Sequence, residues 1–280
     1  MLKTGITTAT YFDKEIGGTN YKKMASHGYS CADFSGIAHP DSKLYQMSDD
    51  ELKEHLAEVK KTAAAAGITF SQVHGTWPVL DTSPELIAGN LEKQKACVRA
   101  TAFLDCKNLV VHPLMPYEWG NELDPDYAEK INDEFFKELC EYAQGYNVNI
   151  CIENMPTKKH RLAGIENLVK FVKKFNMPNF RICLDTGHCH VRDEDSGDMV
   201  RACDGLLEVL HVHDNNGRTD AHTIPYGGNL NWNSFKKALA ETGFNGALSL
   251  ESSISCHASP ELKEKLLVLS ADIAKELADI

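Results

Sequence analysis

The chain has 280 residues, 42% hydrophobic and 25% charged, a balance that predicts a water-soluble globular protein. Its net charge of −11, from 29 Lys+Arg against 40 Asp+Glu, disfavours a protein held to nucleic acid or an anionic membrane by a basic field. No apolar run approaches the ~20 residues of a membrane span, and Met1-Leu2-Lys3-Thr4-Gly5-Ile6 lacks a basic segment leading into an apolar one. The nine cysteines include no CxxC pair, and Cys151 and Cys183 sit inside apolar runs. Buried free thiols in a reducing cytoplasm are therefore expected.

Strands and helices alternate along the chain. Strands are predicted near Thr4–Thr8 and Cys31–Phe34. Ser48-Asp49-Asp50-Glu51 then reads as a capping box, in which Ser48 and Glu51 satisfy each other's amides. Leu52, Leu56, Val59 and Ala63 follow at helical spacing, and Gly67 is placed to end that helix. A third strand is expected at Thr69–His74, and Ser83-Pro84-Glu85 opens another helix. Strand four lies near Asn108–His112, and Asp124-Pro125 starts the next helix. Further strands are read at Asn149–Glu153, Arg181–Asp185, Glu208–His211 and Ala247–Glu251, with a capped helix from Asn233 to Gly243. Ser259-Pro260-Glu261 opens the last helix.

This pattern predicts an α/β chain folded as a single (β/α)8 TIM barrel over residues 1–280, since such barrels take roughly 250 residues. A doubly wound nucleotide-binding sheet fits less well. The first strand runs into Thr10-Tyr11-Phe12-Asp13 without GxGxxG, and no GxxxxGK[ST] occurs.

Apolar runs at Cys151-Ile152-Glu153-Asn154, Cys183-Leu184-Asp185-Thr186-Gly187-His188, Val209-Leu210-His211-Val212-His213-Asp214 and Leu248-Ser249-Leu250-Glu251 each end in a potential metal ligand. A parallel barrel aims all its strand C-termini at one face, so Glu153, Asp185, His211 and Glu251 are expected to converge there on one metal ion. Three carboxylates and one imidazole suit Mn²⁺, Zn²⁺ or Mg²⁺, with Mn²⁺ foremost, and the lack of thiolates argues against a structural zinc. His213 shares strand parity with His211 and is the alternative ligand at that strand. His74, Trp77, His112, His188, Asp220 and His222 are expected at the same face. Cys189 and His190 are read as packing or loop residues.

These motifs resemble the xylose-isomerase-like TIM barrels, the superfamily of sugar and sugar-phosphate isomerases and epimerases that also contains endonuclease IV. The resemblance rests on Ile152-Glu153-Asn154-Met155-Pro156, Leu184-Asp185-Thr186-Gly187-His188 and His211-Val212-His213-Asp214-Asn215. Asp220-Ala221-His222, the stretch Pro225-Tyr226-Gly227-Gly228-Asn229-Leu230-Asn231-Trp232 and Ser249-Leu250-Glu251 extend it. It implies one divalent ion per chain on Glu153, Asp185, His211 and Glu251. It also implies proton transfer beside a sugar carbonyl through an enediolate, with Glu153 and Glu251 as the paired acid/base groups. His74, Trp77, His112, His188, Arg218 and His222 would contact the sugar or sugar phosphate, and a homodimer or homotetramer is expected.

Departures from the ketose 3-epimerase pattern are visible. Lys159 stands where a second glutamate is expected six residues after Glu153, and Arg218 falls one place late after His211. Arg218, Lys158 and Arg161 are candidates for recognising a carboxylate or phosphate. The alternative from another class is a zinc-dependent abasic-site nuclease, whose nine ligands would be His74, His112, Glu153, Asp185, His188, His211, Asp220, His222 and Glu251. The loop from Ser35 to Lys43 is poor in the basic residues that DNA binding needs. A dehydratase or C-glycoside-cleaving lyase would share the site and begin with the same proton abstraction.

Overall fold

In the computed structural model, which describes residues 1–77, 83–254 and 258–280, eight strands run parallel in one sheet. They are β1 (Lys3–Thr7), β2 (Cys31–Phe34), β3 (Thr69–His74), β4 (Asn108–Val111), β5 (Asn149–Glu153), β6 (Phe180–Asp185), β7 (Leu207–His211) and β8 (Ala247–Leu250). The order is β8-β1-β2-β3-β4-β5-β6-β7. The two edges close on each other just past β7, where the Val212 amide donates to the Ser249 carbonyl at 2.9 Å. The Glu251 amide returns a bond to the Val212 carbonyl at 3.0 Å, so the ring is a TIM barrel.

Helices fill the outside: α1 (Tyr21–His27), α2 (Asp49–Ala65), α3 (Pro84–Phe103), α4 (Pro125–Gln144), α5 (Ile165–Phe175), α6 (Thr186–Val191), α7 (Ser196–Ala202), α8 (Trp232–Thr242) and α9 (Pro260–Ala278). The capping box at Ser48 and Glu51 is formed, and Gly67 takes the left-handed conformation at φ 77° just past α2. Prolines open α3, α4 and α9 where the sequence put them. The helix expected from Asn233 begins one residue earlier, because Asn231 is the capping side chain and accepts from the Ser234 amide. A small hairpin at Phe12–Asp13 and Gly18–Thr19, and helices α6 and α7, carry too little periodicity to be read in advance.

Strand parity then positions the site. Val110, Cys151, Cys183 and Val209 form a buried cluster of their own inside the barrel. Side chains alternate faces along a strand, so the residues two places on point inward as well. Those residues are His112, Glu153, Asp185 and His211. The eight described cysteines are free and buried, and Cys256 lies outside the described residues. Among the described residues no helix is long and apolar enough to cross a membrane.

Candidate active site and metal centre

The strand ends deliver the expected residues to one place. Glu153, Asp185, His211 and Glu251 each offer a ligand atom, and these atoms lie within 4.8 Å of one another. Glu153, Asp185 and His211 are buried, while Glu251 is partly open to the cavity above. His211 Nδ1 lies 2.8 Å from Glu153 Oε1 and 3.3 Å from Glu251 Oε2. Three carboxylates in so dry a place need a cation or several hydrogen-bond donors. Asp185 Oδ2 has no hydrogen-bond partner among the described residues. An oxygen-rich, buried set with a free carboxylate oxygen fits a divalent ion.

The motifs around these residues hold them in place. Asn154 Oδ1 accepts from the Asp185 amide at 2.7 Å, and its Nδ2 donates to the Asp185 carbonyl at 3.1 Å. Asp185 in turn caps α6, accepting the His188 amide at 2.7 Å. The glycine of Asp185-Thr186-Gly187-His188 is required by contact: a Cβ there would lie 2.0 Å from His213 Cε1. Asp214, fully buried, accepts from the Asn215 and Leu230 amides and from Trp232 Nε1 at 3.0 Å. It braces the loop that follows β7.

A second group sits beside the first. His188, His213, Asp220 and His222 also bring ligand atoms within 4.8 Å of one another. Asp220 Oδ2 lies 3.2 Å from both His188 Nε2 and His222 Nε2. His213 and His222 stack with ring centroids 3.9 Å apart. His213 Nε2 reaches Asp185 Oδ1 at 3.0 Å, so it bridges the two groups. A third grouping, His74 with Glu153 and His211, overlaps the first, and His112 Nε2 is 3.0 Å from Glu153 Oε2.

Electrostatics follow from that packing. Burial disfavours charge on Glu153, but His211 and His112 overcome this and hold its carboxyl well below the usual range. Burial likewise opposes charge on His188, yet Asp185, Asp220 and Glu153 push its pKa up to about 10. His222 rises to about 9, with burial again outweighed by Asp220 and Glu251. His74 goes the other way, lowered by burial and then by His112 and His211.

Above these residues lies a cavity of about 330 Å³, lined by His74, Trp77, His112, Glu153, His188 and Glu251 among others. Of the proposed sugar contacts, Arg218 is not at this surface. It is exposed, and its amide bonds Asn216 Oδ1 at 3.0 Å, so a side chain one place off the family position stays outside. His190 reaches Asn229 Oδ1 at 2.8 Å and Cys189 is buried, as expected of loop and packing residues.

Two features escaped the sequence reading. Asp33 on β2 reaches His211 Nε2 at 3.0 Å from across the barrel. Its signal, a lone Asp at the end of Cys31-Ala32-Asp33-Phe34, carries no motif. Met115, Trp119 and Met155 add an apolar wall to the cavity, from loops without periodicity.

Residues 21–271 match the model of the xylose isomerase-like TIM barrel family, and the chain belongs to that family. The D-psicose 3-epimerase of Agrobacterium fabrum is 26% identical over 251 residues, covering 84% of this chain and 78% of that one. A crystal structure of a D-psicose 3-epimerase in the presence of D-fructose superposes with a TM-score of 0.80 at 18% identity, covering 99% of each chain. The IolI protein, solved with a bound zinc atom, gives 0.75 at 19% identity over 99% of this chain and 96% of that one.

Proposed function

We propose that this xylose isomerase-like barrel is an enzyme that isomerises or epimerises a sugar or sugar phosphate, using one divalent metal ion per chain. The observation that carries the reading is the meeting of Glu153, Asp185, His211 and Glu251 within 4.8 Å, with Glu153 and Glu251 also lining the cavity. The D-psicose 3-epimerase relative supports the substrate class. The oxygen-rich ligands favour Mn²⁺, with Zn²⁺ or Mg²⁺ as alternatives. A bound ion would supply a Lewis acid that polarises the carbonyl and steadies negative charge beside it.

The chain's own groups move the proton. A hydrogen on carbon next to a carbonyl is weakly acidic, so one group must take it and another must return it. Glu153 on β5 and Glu251 after β8 come from different sides of the barrel mouth and can approach a bound sugar from two faces. His188 Nε2, held by Asp220, is placed to donate to a substrate oxygen at the cavity wall. The buried free thiols suit a reducing cytoplasm.

Metal analysis and proton exchange test this. One Mn²⁺ or Zn²⁺ per chain is expected. Ketoses, inososes and their phosphates incubated in D₂O should yield at least one substrate that takes up deuterium. Glu251→Gln at saturating metal should abolish that uptake; normal rates in this variant would remove Glu251 from the acid/base role. No exchange across the panel, together with cleavage of abasic DNA, would overturn the reading.

The nuclease reading has one observation in its favour, the second group of His188, His213, Asp220 and His222. Three zinc ions per chain would support it. Against it, no lysine or arginine is among the described residues that line the cavity.

A further inference from the structure

Two loops build the apolar wall of the cavity. Residues 112–124, between β4 and α4, supply Met115 and Trp119, and residues 154–164, between β5 and α5, supply Met155 and Pro156. Met115, Met155 and Ala163 pack as a small buried cluster where the two loops meet. The first loop is braced at its base by Asn132 on α4, which accepts from the Leu114 amide at 2.8 Å and donates to the Leu114 carbonyl at 2.9 Å. Beyond Met115 it turns on itself, with the Glu118 amide on the Met115 carbonyl and the Gly120 amide on the Tyr117 carbonyl. Such turns fix local shape but not where the loop stands against its neighbour.

Glu122 supplies that. Its amide donates to the Lys159 carbonyl at 3.3 Å, and its Oε2 accepts from the Arg161 amide at 2.9 Å. The carboxylate is 8% exposed and His160 beside it 4%, with Nδ1 4.0 Å from Oε1. Burial of a carboxylate is costly unless hydrogen bonds or a cation offset it, so these partners matter. The Arg161 guanidinium is turned away, to Glu129 at 2.8 Å and Asp126 at 3.3 Å. Lys159 adds a weaker tie. Its Nζ donates to the Trp119 carbonyl at 3.0 Å, it is exposed, and it has no carboxylate partner among the described residues. A bond of that kind competes with water and contributes little.

The wall is also incompletely backed. A cavity of about 10 Å³, lined by Met115, Glu122, Asn132 and His160 among others, lies on the far side of Met115 from the main one. Packing there is looser than in a filled core, so the bonds of Glu122 decide where Met115 and Trp119 stand.

Building on the sugar reading above, we propose that Glu122 is a positioning residue for the reaction. It clasps the β4–α4 loop onto the β5–α5 loop and so sets the width of the cavity; it does not itself touch the substrate. Without the clasp the wall moves outward and the sugar is held loosely. The groups that move the proton stand on strand ends and stay in place.

The test uses the metal-loaded protein. In the unaltered chain, amide hydrogen exchange followed by NMR should be at least about tenfold slower at Glu122 and Arg161 than at Trp119 and Asn121, whose amides bond nothing among the described residues. Glu122→Ala should speed exchange across residues 113–124 and leave α4 protected. For a keto-sugar that takes up deuterium, it should raise KM about tenfold, with kcat and metal content changed less than about twofold. Glu122→Gln keeps an acceptor for the Arg161 amide and should recover most of the lost affinity. A merely structural role would lower kcat with the amount of folded protein and leave KM alone. An unchanged KM in folded Glu122→Ala overturns the proposal. So do Glu122 and Arg161 amides that exchange as fast as Trp119 and Asn121, a result that needs no variant to fold. Deuterium uptake with an unchanged KM sinks this inference and leaves the sugar reading intact. If no keto-sugar exchanges, the sugar reading fails instead, and the clasp stands or falls on amide exchange alone.

Discussion

Asp33 Oδ2 lies 3.0 Å from His211 Nε2, while the other ring nitrogen, Nδ1, lies 2.8 Å from Glu153 Oε1. The imidazole is therefore clamped edge-on between β2 and β5. Gln72 Nε2 steadies the clamp, donating to Asp33 Oδ2 at 3.1 Å and to the Leu210 carbonyl at 3.3 Å. A carboxylate on Nε2 would hold a proton there and free Nδ1 for an ion bound among the glutamates. Asp33 is a positioning residue. Asp33→Asn should weaken metal affinity about 10- to 100-fold, the range for such outer partners. Activity at limiting metal should fall and excess metal should restore it, with His211→Ala as the comparison that excess metal does not rescue. Unchanged metal affinity in Asp33→Asn would reduce the contact to packing.

Gly187 makes a second sharp test. Alanine is the better helix former by about 1 kcal/mol, and Gly187 lies within α6. Helix propensity alone thus predicts that Gly187→Ala stabilises the protein. Its Cβ would stand 2.0 Å from the ring of His213, which is fully buried and tied to Thr186 through its backbone. Overpacking of this kind costs about 1–3 kcal/mol. Gly187→Ala should lower stability in urea denaturation, and adding His213→Ala should return part of the loss. A stabilised Gly187→Ala would show that the ring can move aside.

Asp214 sits inside the His211-Val212-His213-Asp214-Asn215 motif yet ligates nothing. Both its oxygens are taken: Oδ1 by the amides of Asn215 at 2.8 Å and Leu230 at 3.2 Å, and Oδ2 by Trp232 Nε1 at 3.0 Å. An asparagine turns one acceptor into a donor facing a donor. Asp214→Asn should cost about 1–3 kcal/mol, the range for stranding a buried polar group. The loop to Trp232 carries Asp220 and His222, so limited proteolysis should also cut it faster. Wild-type stability in Asp214→Asn would mean these donors find other partners.

The barrel and the meeting of Glu153, Asp185, His211 and Glu251 at its mouth were legible because both rest on short-range rules. Strand parity put Glu153, Asp185 and His211 two places beyond the apolar inward residues Cys151, Cys183 and Val209. Parallel strands then sent all these ends to one mouth. Asp33 was hidden because its role exists only through a contact with His211 that spans 178 positions of sequence. Arg218 lies off the cavity lining for a related reason. Its position in a loop with Gly217 at φ 73° is set by turn geometry, which a spacing count does not capture. Trp77 was read as a possible wall residue, but its partners Met115, Trp119 and Met155 come from irregular loops where hydrophobicity has no period.

The loop behind that wall should show a pH signature well away from the ligands. Arg161, after the segment that carries Met155 and Pro156, is bonded to Glu129 Oε2 at 2.8 Å, and Lys174 reaches Glu129 Oε1 at 3.2 Å. The hydrogen bond from Arg161 is the main cause that lowers the Glu129 carboxyl below its usual 4.5; burial partly opposes it and Lys174 adds to it. A depressed carboxyl contributes stability that is fully present above the unfolded pKa and is lost as pH falls through the folded one. Glu129→Gln should therefore melt below wild type at pH 6 to 8, and the two curves should converge as the pH drops through and below the ordinary glutamate range. The pair is partly exposed, so the difference should be small, about 1 kcal/mol or less, and should shrink in high salt. Melting temperatures of both proteins across pH and salt provide the check. A gap that persists at the acid end would trace the effect to packing of the Glu129 side chain instead of its charge.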